Sequence, residues 1–523
     1  MDFLLIMTCI CILISFIAFL FEVRFNTHMF QLNGYKNKEQ TAWLKKNIAV
    51  QISLCGFIIL GLVNFFFYGY VSLSILSIFS LIEILYYLSL KKRKSKKKLV
   101  YTNRVKRLLV TNVLLYVLVL VIVGLFVNEQ AMVSAMCLFT FLEPVLLIAS
   151  NLLNSPIEKA INQHFINDAK RILQSNKTLK VIGVTGSYGK TSVKYYLQTL
   201  LSEHFNVLIT PESYNTPMGV VKTIRSSLKS THEIFVCEMG ARYVGDIKEI
   251  CDIVNPECGI ITAIGPQHLE TFGCIENIVN TKFELADAVQ PEGVLVVNGD
   301  NEYIRNRGKK YKNAVFYNTD ETHSGYKTKN ITLSQNGTKF TVISPNGEEE
   351  SFQTRLVGEH NIVNIVGAIS VANMLGIPLK DLIIPVRRLQ PVEHRMQMIK
   401  NGNVTIIDDA YNSNPVGSKS AVKTLSMFDG VKILVTPGMV ELGKEEERYN
   451  FEFGKYAAEY CDYVILVGEK HTRPILKGLM DKNFSEEKFK TFEKITDAVS
   501  YAYSIPADKH KYILLENDLP DNY

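Results

Sequence analysis

No two of the nine cysteines stand at Cys-x-x-Cys spacing, and none has the spacing of a metal-ligand set. The thiols are scattered, which fits a reducing compartment better than a disulfide framework. The first apolar run, Phe3–Phe21, has no basic residue before it and no small-residue cleavage site after it. It therefore reads as a retained anchor rather than a cleaved signal peptide. Two connections between apolar runs, Tyr68–Tyr70 and Asn128–Gln130, contain no Lys or Arg. By the positive-inside rule, neither is a cytoplasmic loop. The apolar runs show no internal repeat and few polar residues, which argues against a transporter.

Length and composition then show what is present. At 523 residues the chain has room for several domains. Its 47% hydrophobic content is ordinary, but it averages two populations that divide near residue 155. Before that point five stretches are long enough to span a bilayer: Phe3–Phe21, Asn47–Phe67, Val71–Leu90, Leu108–Phe126 and Met132–Leu152. Basic residues fix their orientation. Arg24, Lys36, Lys38, Lys45 and Lys46 follow the first stretch, and the run Lys91–Lys98 with Arg104, Lys106 and Arg107 follows the third. Five spans with these loops place the N-terminus outside and everything after the fifth span in the cytoplasm. The lysine run is thus a membrane flank that supplies much of the net charge of +6, and no nucleic-acid partner is expected. Glu83 and Glu143 fall inside apolar spans, as helix-packing residues or contacts to a substrate or lipid headgroup. Ser155, Pro156 and Glu158 form a capping box that predicts a juxtamembrane linker helix over 155–178.

From Lys180 onward short β-branched runs alternate with helical segments, which implies parallel sheets covered by helices. The predicted strands are Val181–Thr185, Ile234–Cys237, Gly259–Ile264, Val294–Val297, Val404–Ile407, Lys432–Val435, Tyr463–Val467 and Tyr512–Leu515. Ligands of such sheets bind beyond the carboxyl ends of the strands. The loop Thr185-Gly186-Ser187-Tyr188-Gly189-Lys190-Thr191 sits there, between a strand and a helix. Its backbone N–H groups suit phosphates, Lys190 neutralises them, and the Thr191 hydroxyl suits Mg²⁺. The usual first glycine is displaced, because position 184 is Val. Glu238 ends another strand, where a carboxylate suits Mg²⁺. His268 follows a third strand; Lys282, by itself, reads as a surface lysine.

In order along the chain, "TGSYGKTSVK", "EMGARYVGDI", "IGPQHLETFG", "TKFE", "VVNGDN", "GEHNIVN", "DDAYNSNP" and "GMVELG" resemble the motifs of the Mur ligases. These are ATP-dependent amide-forming enzymes of bacterial cell-wall synthesis, and the D-alanyl-D-alanine-adding (MurF-type) branch is nearest. The resemblance implies a central P-loop-type α/β ATPase domain over 179–390 and a C-terminal Rossmann-like α/β domain over 391–523, after transmembrane helices over 1–154. It implies that Thr185, Gly186, Ser187, Gly189, Lys190 and Thr191 hold ATP phosphates. Thr191, Glu238, His268 and Lys282 would serve two Mg²⁺ sites, with Lys282 as a carbamate. Asn298, Asp300, His360, Asn361, Asn364, Arg395, Asp409, Tyr411, Asn412 and Asn414 would surround the nucleotide. Arg395 would reach the γ-phosphate from the C-terminal domain. Lys190, Lys282, His268 and Arg395 form the implied catalytic set, and Asn215, Thr216 and Gly219 are assigned to the acceptor.

The implied reaction converts an acceptor carboxylate into an acyl phosphate, which the amine of an amino acid or a dipeptide such as D-alanyl-D-alanine then attacks. Two departures bear on the substrates. A membrane part stands where the family has a UDP-binding domain, and "ILLENDLPDNY" lacks the family's Gly-Ser-Arg type motif. The acceptor is therefore expected at the inner face of the membrane, in peptidoglycan precursor synthesis. Another envelope polymer (capsular or teichoic-type glycan, or polyglutamate) is the alternative acceptor. An ATP-driven transporter or sensor is the alternative class, and a non-catalytic scaffold is disfavoured by the complete set Lys190, Glu238, His268 and Lys282.

Overall fold

The computed structural model describes residues 3–47, 55–92, 97–411 and 413–518. The chain forms two compact units that divide between His164 and Phe165.

The first unit is helical: α1 Phe3–Leu32, α2 Asn37–Lys46, α3 Cys55–Phe66, α4 Tyr70–Lys92, α5 Asn103–Phe126, α6 Glu129–Phe141 and α7 Glu143–Ser175. Three of these, α1, α4 and α5, are long and apolar enough to cross a membrane. They present Leu13, Leu85, Leu114 and Leu125 outward and bury Cys11, Phe19, Leu76 and Tyr116 inward. Apolar side chains on the outward as well as the inward face suit an apolar solvent and not water.

Two expectations are corrected here. The predicted fifth span, Met132–Leu152, is not one straight helix: α6 and α7 meet at 78° around Leu142. Pro144 explains the break, since it lacks an N–H, clashes with the preceding turn, and disfavours helical backbone at residue 143. Counting the bent pair as one span gives up to four among the described residues, besides the shorter apolar helix α3 Cys55–Phe66 of the second predicted span. Most of the second predicted span's first half, residues 48–54, and residues 93–96 of the lysine run lie outside the described residues. The second correction concerns the linker helix. α7 runs continuously through Ser155 and Pro156, so the capping box starts nothing. Glu158 instead accepts a two-pronged bond from Arg107 at 2.7 and 2.9 Å.

The second unit contains two six-stranded sheets and one three-stranded sheet. The first sheet has order β2-β3-β1-β4-β5-β6, with β1 Lys180–Thr185, β2 Val207–Ile209, β3 Ile234–Glu238, β4 Cys258–Ile261, β5 Val294–Asn298 and β6 Ala314–Tyr317. All its pairings are parallel. Its strands are nearly continuous Val and Ile runs because helices cover both faces. The register sets Glu238 beside Val184 and Ile261 beside Thr185, so the carboxyl ends form one ledge. An antiparallel sheet, β7 Lys327–Ser334, β8 Gly337–Ile343 and β9 Glu349–Thr354, follows. The last sheet has order β10-β11-β15-β12-β13-β14, with β10 Gln397–Asn401, β11 Val404–Asp409, β12 Val431–Thr436, β13 Tyr463–Val467, β14 Phe489–Phe492 and β15 Lys511–Glu516. Only its edge pair, β10 with β11, is antiparallel. Asp409 and Glu516 end side by side there.

Candidate active site

The carboxyl end of β1 turns into the loop Gly186–Gly189 and then the helix Lys190–Leu201. Two glycines make that turn possible. A Cβ at Gly186 would lie 2.1 Å from Thr262 Oγ1, and one at Gly189 2.3 Å from Asn364 Oδ1, with φ at 79°. Lys190 folds back over the loop and donates to the carbonyls of Gly186 and Ser187 at 2.8 and 3.0 Å. Burial lowers its pKa to about 8, with Arg395 adding to the effect and Glu238 opposing it. A cation held over a glycine loop by loop carbonyls alone is poised for an anion.

Glu238, buried at the end of β3, is the hub beside this loop. Its Oε1 accepts from Thr191 Oγ1 at 3.2 Å and from Asn215 Nδ2 at 3.0 Å. Its Oε2 lies 3.1 Å from the buried Lys194 Nζ but makes no hydrogen bond. Lys194 Nζ spends its hydrogen bond on the Glu212 carbonyl, at 2.5 Å. A hydroxyl and a carboxylate are hard oxygen donors, so Thr191 and Glu238 fit Mg²⁺.

His268 adopts a left-handed backbone, φ 53°, just before the short helix Leu269–Phe272. Its Nδ1 bonds Glu441 Oε2, and Arg242 donates to Glu441 Oε1 at 3.0 Å. Burial holds the imidazole below its usual range despite that carboxylate. For Glu441 burial pushes upward, yet His268 and Arg242 prevail and hold it below the usual carboxylate range. Glu441 follows β12, so the carboxyl ends of the first and last sheets are tied through this triad. Sequence reasoning missed Glu441 as a site residue. Its only signal was the "GMVELG" motif, 173 positions from His268.

Lys282 lies inside the helix Ile275–Ala288, 2% exposed, and among the described residues has no hydrogen-bond or ion-pair partner. Burial, then the charge of Lys190, depresses it well below an ordinary lysine. The surface-lysine reading is therefore excluded.

The remaining predicted residues divide. Asn298 donates to the Thr262 carbonyl at 2.7 Å, and Asp300 receives the Thr319 N–H and hydroxyl, its pKa raised by burial. Asn364 stands against Gly189. His360 meets Ser420 at 3.3 Å and is held near 4 by burial, hence neutral. Asn361 is committed elsewhere, accepting from Tyr196 and donating to the Val357 carbonyl. Arg395 lies over the Tyr411 ring at 4.3 Å. Asp409 is raised to about 6 by burial, against the pull of Arg395. Asn414 caps the helix Pro415–Leu425. Asn412 lies outside the described residues. Of the acceptor residues, Asn215 reaches Glu238, whereas Thr216 and Gly219 are joined as a helix cap.

Known proteins resemble this chain in sequence and fold. Residues 184–372 match the Mur ligase middle domain, and 394–516 match the Mur ligase glutamate ligase domain. The UDP-N-acetylmuramoyl-tripeptide–D-alanyl-D-alanine ligase of Bacillus subtilis is 32% identical over 336 residues, covering 64% of this chain and 69% of that enzyme. The chain belongs to the Mur ligase family. The Escherichia coli ligase of the same name is 30% identical, over 56% of this chain and 65% of its own length. The chain thus spans about two thirds of these relatives. Among solved Mur ligases, the Acinetobacter baumannii MurF crystal structure aligns with TM-score 0.63 at 26% identity, covering 69% of this chain and 78% of that one. MurF from Thermotoga maritima, in complex with ADP, aligns with TM-score 0.61 at 25% identity, covering 68% and 80%. The second unit is that of an ATP-dependent acid–amino-acid ligase, MurF-like, of peptidoglycan synthesis. Neither domain match reaches the helical unit.

Proposed function

We propose that this protein is a membrane-anchored Mur-type ligase that joins the amine of an amino acid or dipeptide to the carboxylate of an envelope precursor. The observation that carries this reading is the glycine loop, with Lys190 held over its carbonyls and Thr191 bonded to Glu238 at the end of β3.

The residues divide the work by chemistry. Gly186 and Gly189 let backbone N–H groups approach phosphates, and Lys190 and Arg395 neutralise the charge that grows there. Thr191 and Glu238 would hold Mg²⁺, with His268 and Lys282 completing the metal environment. Mg²⁺ bound there shields phosphate charge. Lys282 is unusual in being buried, unpaired and depressed, so its amine is nucleophilic toward CO₂. As a carbamate it is an anion with two oxygen donors, which removes the repulsion from Lys190. Asp409 beside Arg395 and Tyr411 forms the facing edge, and closure of that edge excludes water from the activated carboxylate.

The relatives' names supply the first substrates to try, a UDP-muramoyl tripeptide and D-alanyl-D-alanine. Three long apolar helices support anchoring of the helical unit in a bilayer, with the ligase unit in the cytoplasm and the N-terminus outside. That placement favours an acceptor held at the inner membrane face. The test is ADP release by the full-length protein with D-alanyl-D-alanine and either UDP-linked or lipid-linked precursor. Release should need both substrates, and Lys190→Ala should abolish it while membrane insertion persists. Acceptor-independent ATP hydrolysis as the sole activity would overturn the ligase reading.

A further inference from the structure

Three helices of the first unit carry carboxylates into its interior. Glu22 of α1, Glu83 of α4 and Glu143 of α7 are 1%, 4% and 0% exposed. Glu22 is near enough to the other two for their charges to interact. Asn26, one turn beyond Glu22, donates its amide to Glu143 Oε2. Helix α5 faces the same place. Its residues Leu108, Asn112 and Tyr116 share one face by their spacing of four. Tyr116 stacks on Phe19 at 3.7 Å, while Leu108 packs with Phe30 and Leu147. Asn112 is therefore held between the levels of Phe19 and Phe30, where Glu22 and Asn26 lie, and it is 0% exposed.

The polar atoms of this cluster are unbalanced. Glu22 Oε1 and Oε2, Glu143 Oε1, Asn26 Oδ1 and Asn112 Oδ1 are buried acceptors without a hydrogen-bond partner. Asn112 Nδ2 is the one open donor in the group. Neither Glu22 nor Glu143 has an ion-pair partner among the described residues. Buried acceptors and charges of this kind persist where something supplies donors and opposite charge. Glu22, Glu83 and Glu143 do not converge tightly enough to hold a metal ion between them.

We propose that this cluster is a binding site for a primary ammonium group. An ammonium supplies one positive charge and three N–H donors, the complement of an acceptor-rich site with two unpaired carboxylates. Its two natural sources are an aminophospholipid headgroup and a free amine. The inference uses the helical unit alone and does not depend on the ligase reading.

Trp43, the chain's single tryptophan, is nearly buried in this unit, so its fluorescence reports the unit's melting. The experiment melts the full-length protein in nonionic detergent with ethylammonium, tetramethylammonium or sodium chloride at equal ionic strength. A second arm uses nanodiscs of phosphatidylethanolamine or phosphatidylcholine. Ethylammonium should raise the melting temperature saturably by several degrees, with tetramethylammonium and sodium giving no such rise, if the ligand is a free amine. Stabilisation confined to phosphatidylethanolamine nanodiscs would identify the headgroup. Either response should vanish in Glu22→Gln/Glu143→Gln and shrink in Asn112→Leu. Equal melting in all salts and in both lipids would overturn the proposal, as would a full response retained by the double variant. A cluster neutralised by bound protons alone gives the first of those results.

Discussion

Lys282 and Glu516 are both buried ionisable groups, but burial has opposite consequences for them. For Lys282, removing the amine should almost abolish ligase activity if the side chain works as a carbamate. Formate or acetate, which can occupy the vacated space, should partly restore Lys282→Ala and leave Lys190→Ala inactive. Full activity of Lys282→Ala without additives would end the carbamate idea. Glu516 sits at the end of β15, where Ser413 and Thr436 hydroxyls meet it, and burial raises it to about 8. The folded state then binds a proton that the unfolded chain, near 4.5, has released. Stability from this group is full below about pH 4.5 and falls as pH rises to about 8. A shift of this size corresponds to roughly a few kcal/mol. Melting temperature of the wild type should therefore fall between about pH 5 and 8, and Glu516→Gln should flatten that slope. A slope unchanged in the variant would assign the dependence to other groups.

At the scale of elements, the loops after β4 and β12 meet through His268 and Glu441. A carboxylate on one ring nitrogen fixes which nitrogen of the imidazole is free, a common arrangement behind metal-binding histidines. Glu441→Ala should raise the Mg²⁺ concentration for half-maximal activity by about 10–100-fold. Arg242→Ala should do much less, because the Arg242 side chain is more than half exposed and its ion pair is screened. Equal effects of the two substitutions would show that the triad is a structural tie only. The break between α6 and α7 belongs to this scale as well, since Pro144 decides it locally.

For the whole molecule, the orientation follows from where basic residues lie between apolar helices. A reporter fused after Leu153 should read as cytoplasmic, and one fused at Met1 as external. The opposite result at either point would overturn the orientation. With the bent pair counted as one span and the second apolar region crossing, the parity of crossings is unchanged. The break at Leu142 therefore leaves that prediction standing.

The two-population layout, the central parallel strands and the glycine turn after β1 were legible in the sequence, because each rests on local signals, whereas the short outer strands β2, β6 and β14 were not. Apolar length marks a helix, β-branched runs mark buried strands, and the glycines of "TGSYGKTSVK" mark the turn between a strand and a helix. The antiparallel strands β7–β9 and β10 escaped, since half-exposed strands with mixed polar residues give no apolar run. The single helix through Ser155 escaped because a capping box in sequence does not stop a helix already propagating, whereas Glu158 had Arg107 to pair with. Only the tertiary structure decided the state of Lys282, the partnership of His268 with Glu441, and the gathering of Glu22, Glu83 and Glu143. Each depends on burial or on contacts between residues far apart in the chain. Neither quantity is carried by any short stretch of sequence.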